Sequence, residues 1–264
     1  MSPPNYSKLQ LPDDNFIAYH RHEGKRKSLP GIIFLGGFRS DMTGTKAITL
    51  EKFCMEQGLD FIRFDYFGHG ASSGEFERGG CIGRWKNDAL AVLDNLANRP
   101  QILVGSSMGG WLMLLAALER PDKIAALVGI AAAPDFTETL IWNPMAENQK
   151  SEIMEKGIAH IPSDECGTYP ITRELIEDGR EHLLLHDRIP INCPVHLIHG
   201  MRDEDVPYQT SVRLAEIIES EDVQVILQKS GGHRMSEEGD LELILRVMKE
   251  LLERFPSQSR FSLR

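Results

Sequence analysis

Cysteine is scarce and unpaired in this sequence. Cys54, Cys81, Cys166 and Cys193 are scattered through 264 residues, with no C-x-x-C and no spacing that would close a zinc site. That pattern argues against a disulfide framework, and a reducing compartment is expected. Long apolar runs are missing too: nothing approaches the roughly 18 residues needed to cross a bilayer, so no stable membrane insertion is expected. The opening Met1-Ser2-Pro3-Pro4-Asn5 has neither a signal-peptide core nor an Arg-rich amphipathic character. The expected location is cytoplasmic, with the mitochondrial matrix as the alternative if a presequence has been removed. Basic residues are in deficit, 29 against 39 acidic ones, and the resulting formal charge of −10 disfavours nucleic acid or an anionic membrane as a general partner. Internal repeats and low-complexity tracts are also absent.

What is present fits a globular protein. Hydrophobic residues at 41% and charged residues at 26% are ordinary for a folded domain, and the length suits one large α/β domain over residues 1–264. Residues 7 to 22 read as a hairpin, with Pro12-Asp13-Asp14-Asn15 as its turn. Short apolar runs follow at Gly31-Ile32-Ile33-Phe34-Leu35, Asp60-Phe61-Ile62-Arg63-Phe64, Gln101-Ile102-Leu103-Val104, Ala126-Leu127-Val128-Gly129-Ile130, Val195-His196-Leu197-Ile198 and Val223-Gln224-Val225-Ile226-Leu227. Strands buried on both faces of a mainly parallel sheet have this composition. Helical segments at about 45 to 57, 80 to 97, 108 to 119, 208 to 219 and 239 to 254 alternate with them, which predicts a mostly parallel sheet with helices on both faces. Residues 134 to 190 interrupt the alternation. They read as an inserted, small helical cap, with helices near 147 to 157 and 172 to 186 separated by Pro162, Gly167 and Pro170.

In such sheets chemistry belongs just beyond the carboxyl ends of the strands. Gly105-Ser106-Ser107-Met108-Gly109 sits there, between an apolar strand and an apolar helical stretch that starts at Trp111. Its small residues suit a strand-to-helix turn tight enough to hold a serine oxygen at the sheet's end, making Ser107 the candidate nucleophile and Ser106 a filler. Alone, G-x-S-x-G is a weak pattern, because glycine and serine also make ordinary turns. A serine hydroxyl also needs a base to take its proton and a carboxylate to orient that base. After the strand at 195 to 198, His199-Gly200-Met201-Arg202-Asp203-Glu204-Asp205-Val206-Pro207 supplies carboxylates, with Asp203 the best placed and Asp205 the alternative. After the last strand, Ser230-Gly231-Gly232-His233 presents the candidate base, His233. The order Ser107, Asp203, His233 is that of the α/β-hydrolases. The N–H groups of Met108 and of Phe38, in Gly36-Gly37-Phe38-Arg39-Ser40-Asp41, are the candidate oxyanion donors, unless the glycines serve only a tight turn.

From about residue 9 to 254 the chain resembles the α/β-hydrolase superfamily. Asp65-Tyr66-Phe67-Gly68-His69-Gly70-Ala71-Ser72 is similar to the loop after its fourth strand, and His199-Gly200-Met201-Arg202-Asp203 to its acid loop. Within it, Thr45-Lys46-Ala47, Phe53-Cys54, Ile62-Arg63-Phe64-Asp65-Tyr66, the stretch from Gln101 to Leu114 and Asn192-Cys193-Pro194 resemble the mitochondrial palmitoyl-protein thioesterase family, also known for acyl-glucuronide esterase activity. The resemblance implies hydrolysis of acyl thioesters or esters, with Ser107, Asp203 and His233 at the family's catalytic positions.

The expected activity is therefore that of a serine hydrolase acting through an acyl-enzyme. Its partner is a small-molecule ester or an S-acylated protein, and no cofactor or metal is required. A peptidase or carbon–carbon bond hydrolase on the same fold, or a ligand-binding protein without turnover, are the alternatives. Ile141, Trp142, Met145, Ile153 and Met154 either line an acyl pocket or simply pack. His182 and His186 are four apart but lack a third ligand, and read as ordinary cap histidines. His69 reads as a loop-orienting residue, Trp85 and Trp111 as packing residues, and Glu237-Glu238 as the start of the last helix.

Overall fold

A computed structural model describes residues 6–163 and 167–255. Cys166 and the opening Met1–Asn5 stretch lie outside the described residues. The strands are β1 (Ser7–Gln10), β2 (Phe16–His22), β3 (Gly31–Leu35), β4 (Phe61–Phe64), β5 (Gln101–Ser106), β6 (Ile124–Ile130), β7 (Ile158–Ser163), β8 (Gly167–Thr172), β9 (Val195–Gly200) and β10 (Val223–Gln228). The α-helices are α1 (Thr45–Gln57), α2 (Ile82–Leu96), α3 (Met108–Glu119), α4 (Glu147–Lys156), α5 (Arg173–Arg180), α6 (Gln209–Ile217) and α7 (Glu238–Glu253).

Among the described residues one eight-stranded sheet runs in the order β1-β2-β4-β3-β5-β6-β9-β10. The expected hairpin supplies its antiparallel edge, β1 against β2 and β2 against β4, and every other pairing is parallel. Successive strand residues point to opposite faces, and that alternation divides the core in two. Ile33, Leu35 and Leu103 pack with Trp85 of α2 and Leu112 of α3 on one face. Ile32, Phe34, Ile102 and Val104 pack with Leu50 of α1 and Val247 of α7 on the other. Burial on both faces is why β3, β5 and β9 read as nearly continuous apolar runs. Among the described residues no helix is long and apolar enough to cross a membrane.

Between β6 and β9 the chain leaves the sheet. This segment holds a π-helical stretch (Thr137–Trp142), α4, the antiparallel pair β7 and β8, and α5. The hairpin differs from the helical reading of this region. Pro170 looks like a breaker, but in a two-stranded ribbon a proline sits where no further strand needs its N–H. Helix α5 also stops at Arg180, short of the expected 186, so His182 and His186 do not share a helix face. His182 Nδ1 instead donates to the carbonyl of Asp178 at 2.8 Å.

Candidate active site

The sharpest backbone feature at the sheet's carboxyl edge is Ser107. It has φ 53° and ψ −120°, outside the range a serine ordinarily adopts, between fully buried β5 and the first residue of α3. Such strain persists only where neighbours over-determine it. Here Ser107 N–H donates to Ile130 O at 3.0 Å, and Ser107 O accepts from Gly110 and Ala133 N–H at 2.8 and 3.0 Å. Close approach dictates the flanking glycine: a Cβ on Gly109 would stand 2.1 Å from Leu35 O. Ser106 remains within β5 and is buried, while Ser107 is half-buried at the turn.

Three residues from separate strand ends meet here. Ser107 Oγ lies 3.0 Å from His233 Nε2, and His233 Nδ1–H donates to Asp203 Oδ2 at 2.8 Å. The acid and histidine loops are in backbone contact: Arg202 N–H donates to Gly231 O at 2.9 Å, and a Cβ on Gly200 would fall 2.3 Å from the same oxygen. Glu204 and Asp205 are exposed, whereas the Asp203 side chain is 0% exposed and that of His233 22%. Asp203 accepts four bonds. Oδ1 takes the N–H groups of Asp205 (3.0 Å) and Val206 (2.8 Å), and Oδ2 takes His233 Nδ1–H and His199 Nε2–H (3.1 Å). Burial pushes this carboxyl's pKa up, but the bonds from His199, His233 and Val206 outweigh it and hold the group below the ordinary carboxylate range. On the histidine loop, Lys46 of α1 donates from Nζ to Arg234 O, and burial pushes its pKa down to about 8, helped by the Arg234 cation.

The loop after β3 closes over the serine. A Cβ on Gly37 would meet Ser107 Cβ at 3.4 Å, an ordinary van der Waals contact that places this loop beside the serine. The N–H groups of Phe38, in this loop, and of Met108, at the first turn of α3, take no turn or loop backbone acceptor among the described residues. Arg39 follows with φ 58°, and its N–H donates to His69 Nε2 at 3.1 Å. His69 Nδ1–H in turn donates to Phe67 O at 3.1 Å, which fixes the tautomer and ties two loops together. The Phe38 ring packs edge-on against Phe76, Phe136 and Tyr169, with centroids 5.1, 5.3 and 6.4 Å away.

Burial lowers the pKa of His69 from 6.5 to about 4, so the folded state holds it neutral. The unfolded chain binds the proton first, and His69 therefore withdraws stability as pH falls from about 6.5 towards about 4. Protonation would also set an N–H against the Arg39 N–H. We expect a plot of melting temperature against pH to flatten over this window in His69→Gln; an unaltered slope would show that other groups govern acid sensitivity.

Trp85 and Trp111 are fully buried packing residues that also donate, to Phe67 O at 3.0 Å and His182 O at 3.1 Å. Of the apolar residues expected in the inserted segment, Ile153 is buried in the core, Met154 is exposed, and Ile141, Trp142 and Met145 are half-buried. The residue that sequence reasoning missed is His199. A histidine in an apolar strand, four residues ahead of a candidate acid, was the available signal.

Over 251 residues the chain is 46% identical to the bovine (Bos taurus) protein named palmitoyl-protein thioesterase ABHD10, mitochondrial, covering 94% of this chain and 80% of the relative. The chain belongs to the α/β-hydrolase superfamily. The profile of the alpha/beta hydrolase fold matches residues 47–173 of this α/β-hydrolase. The human (Homo sapiens) protein of the same name is 44% identical over 250 residues, again with 94% and 80% coverage. The solved structure of alpha/beta hydrolase domain-containing protein 10 from mouse superposes with a TM-score of 0.88 at 43% identity, covering 96% of this chain and all (100%) of that one. This α/β-hydrolase is an enzyme of the hydrolase class.

Proposed function

We propose that this α/β-hydrolase cleaves acyl thioesters or carboxylic esters through an acyl-enzyme on Ser107. The observation that carries the proposal is the unbroken line of hydrogen bonds from Ser107 Oγ through His233 to Asp203. Ser107 Oγ attacks the acyl carbonyl carbon while His233 Nε2 takes the hydroxyl proton. Asp203 steadies the imidazolium, and the N–H groups of Phe38 and Met108 hold the tetrahedral oxyanion. Collapse breaks the carbon–sulfur or carbon–oxygen bond, and the departing thiolate or alkoxide takes the proton from His233. Water, deprotonated by the same imidazole, then releases the acid and restores Ser107.

The names of the bovine and human relatives support a thioester on an S-acylated protein as one substrate class, beside small-molecule esters. They also favour the mitochondrial alternative over the cytoplasmic expectation. Residues 134 to 190 act as the cap, with the aromatic group around Phe38 facing the acyl chain; the net charge of −10 counts against nucleic acid as a partner. The purified protein is expected to hydrolyse acyl thioesters and p-nitrophenyl esters and to take a covalent fluorophosphonate label. Turnover confined to aminoacyl amides would instead identify a peptidase, and absence of both label and turnover a binding protein.

A further inference from the structure

The buried histidine at the end of β9 is not needed by a three-residue catalytic unit, yet it touches that unit directly. His199 and Asp203 side chains are both 0% exposed, and His199 Nε2 lies 3.1 Å from the same carboxylate oxygen that accepts from His233. The second acceptor at Nε2, Val206 O at 3.0 Å, means that this nitrogen carries the hydrogen. Nδ1 then accepts from the hydroxyl of Ser211, on α6, at 2.7 Å. The result is an ordered chain, Ser211 to His199 to Asp203 to His233 to Ser107, with one histidine on each side of Asp203 Oδ2.

We propose that His199, held by Ser211, is a positioning residue that sets how basic His233 is by sharing the charge of Asp203 Oδ2. The inference rests on the reading of Ser107, Asp203 and His233 as the catalytic unit. A carboxylate oxygen with two N–H donors stabilises each less than it would stabilise one alone. With His199 in place the His233 imidazolium is therefore held less tightly, and the neutral base is available at lower pH. Asp203 is also fixed on both sides, since all of its roughly four lone-pair sites are occupied. Among the described residues, Asp205 on the acid loop lies beside His233, and Arg234 follows it in sequence with its carbonyl accepting from Lys46 of α1. They are identical in every variant below and do not account for a difference between them.

The test is the pH profile of kcat/KM in His199→Leu, His199→Gln and Ser211→Ala, alongside the downfield proton resonance of His233 Nδ1–H recorded in each variant combined with Ser107→Ala. His199→Leu removes the donor, and its acid limb is expected to move up by about half to one pH unit with a displaced resonance. His199→Gln returns a donor at comparable reach and restores the limb, while Ser211→Ala shifts it in the same direction by a smaller amount. A folded His199→Leu protein with an unmoved limb and resonance overturns the proposal. Where His199→Leu fails to fold, an unmoved limb and resonance in Ser211→Ala does the same. The resonance is read without turnover, so loss of the fluorophosphonate label from the wild-type protein would defeat the serine-hydrolase reading while leaving this measurement decisive for His199.

Discussion

Ser107→Ala is expected to lower kcat by about 10⁴- to 10⁶-fold and to abolish fluorophosphonate labelling while leaving the protein folded. Each part has a separate cause. The acyl-enzyme cannot form without Oγ, so what is left is the modest acceleration that binding and the oxyanion donors supply. Folding is preserved because alanine keeps the same Cβ at φ 53°, and the backbone bonds to Ile130, Gly110 and Ala133 do not involve the hydroxyl. His233 Nε2 loses its partner but is near solvent, with the side chain 22% exposed, so water replaces the bond. Steady-state kinetics, labelling and circular dichroism on one preparation check all three; normal turnover by the variant would end the assignment of Ser107.

Asp203→Asn is the second large effect, expected at about 10⁴-fold in kcat/KM at neutral pH. Aspartate here receives four N–H donors, two on each oxygen. Asparagine has one carbonyl oxygen and one amide NH₂, so in either orientation two donors face another donor. If the oxygen stays with Asp205 and Val206, the NH₂ faces His233 Nδ1 and drives its hydrogen to Nε2, the nitrogen that must accept from Ser107. If the amide flips, both backbone N–H groups are left against the NH₂; water can meet that of exposed Asp205, whereas that of buried Val206 goes unmet at about 1–3 kcal/mol. Asp205→Asn separates this from the other candidate acid: its side chain is exposed and only its backbone serves Asp203, so its kcat/KM should stay within about threefold of wild type. The reverse ranking of the two variants would move the acid to Asp205.

The parts of this site that were legible are those whose physics is local. A tight turn between a buried strand and a helix needs glycine at Gly105 and Gly109, and carboxylate- and histidine-bearing loops follow the apolar strands β9 and β10 at the sheet's carboxyl edge. The hairpin of β7 and β8 was not legible, because the proline at Pro170 carries the same sequence signal whether it ends a helix or occupies an unpaired edge. His199 shows the limit most clearly. His196 and His199 stand in one strand, both almost fully buried, and their three-residue spacing turns them to opposite faces. His199 has a partner on each ring nitrogen, whereas neither nitrogen of His196 finds a protein partner among the described residues. Both are histidines in one apolar strand; spacing to Asp203 hints at His199, and the tertiary placement of Asp203 and Ser211 against its two ring nitrogens separates it from His196.

Because the acid and base loops are joined by backbone bonds, Asp203 and His233 form a single rigid jaw on β9 and β10, while Ser107 rides on β5. The strand between them is β6, fastened to the serine side by Ser107 N–H to Ile130 O and to the acid side by Ala131 N–H to Ile198 O at 2.8 Å. β6 therefore acts as the spacer of a vice: its width, with the bend just beyond its end at Ala131, where φ is 46°, sets the gap between Ser107 and His233.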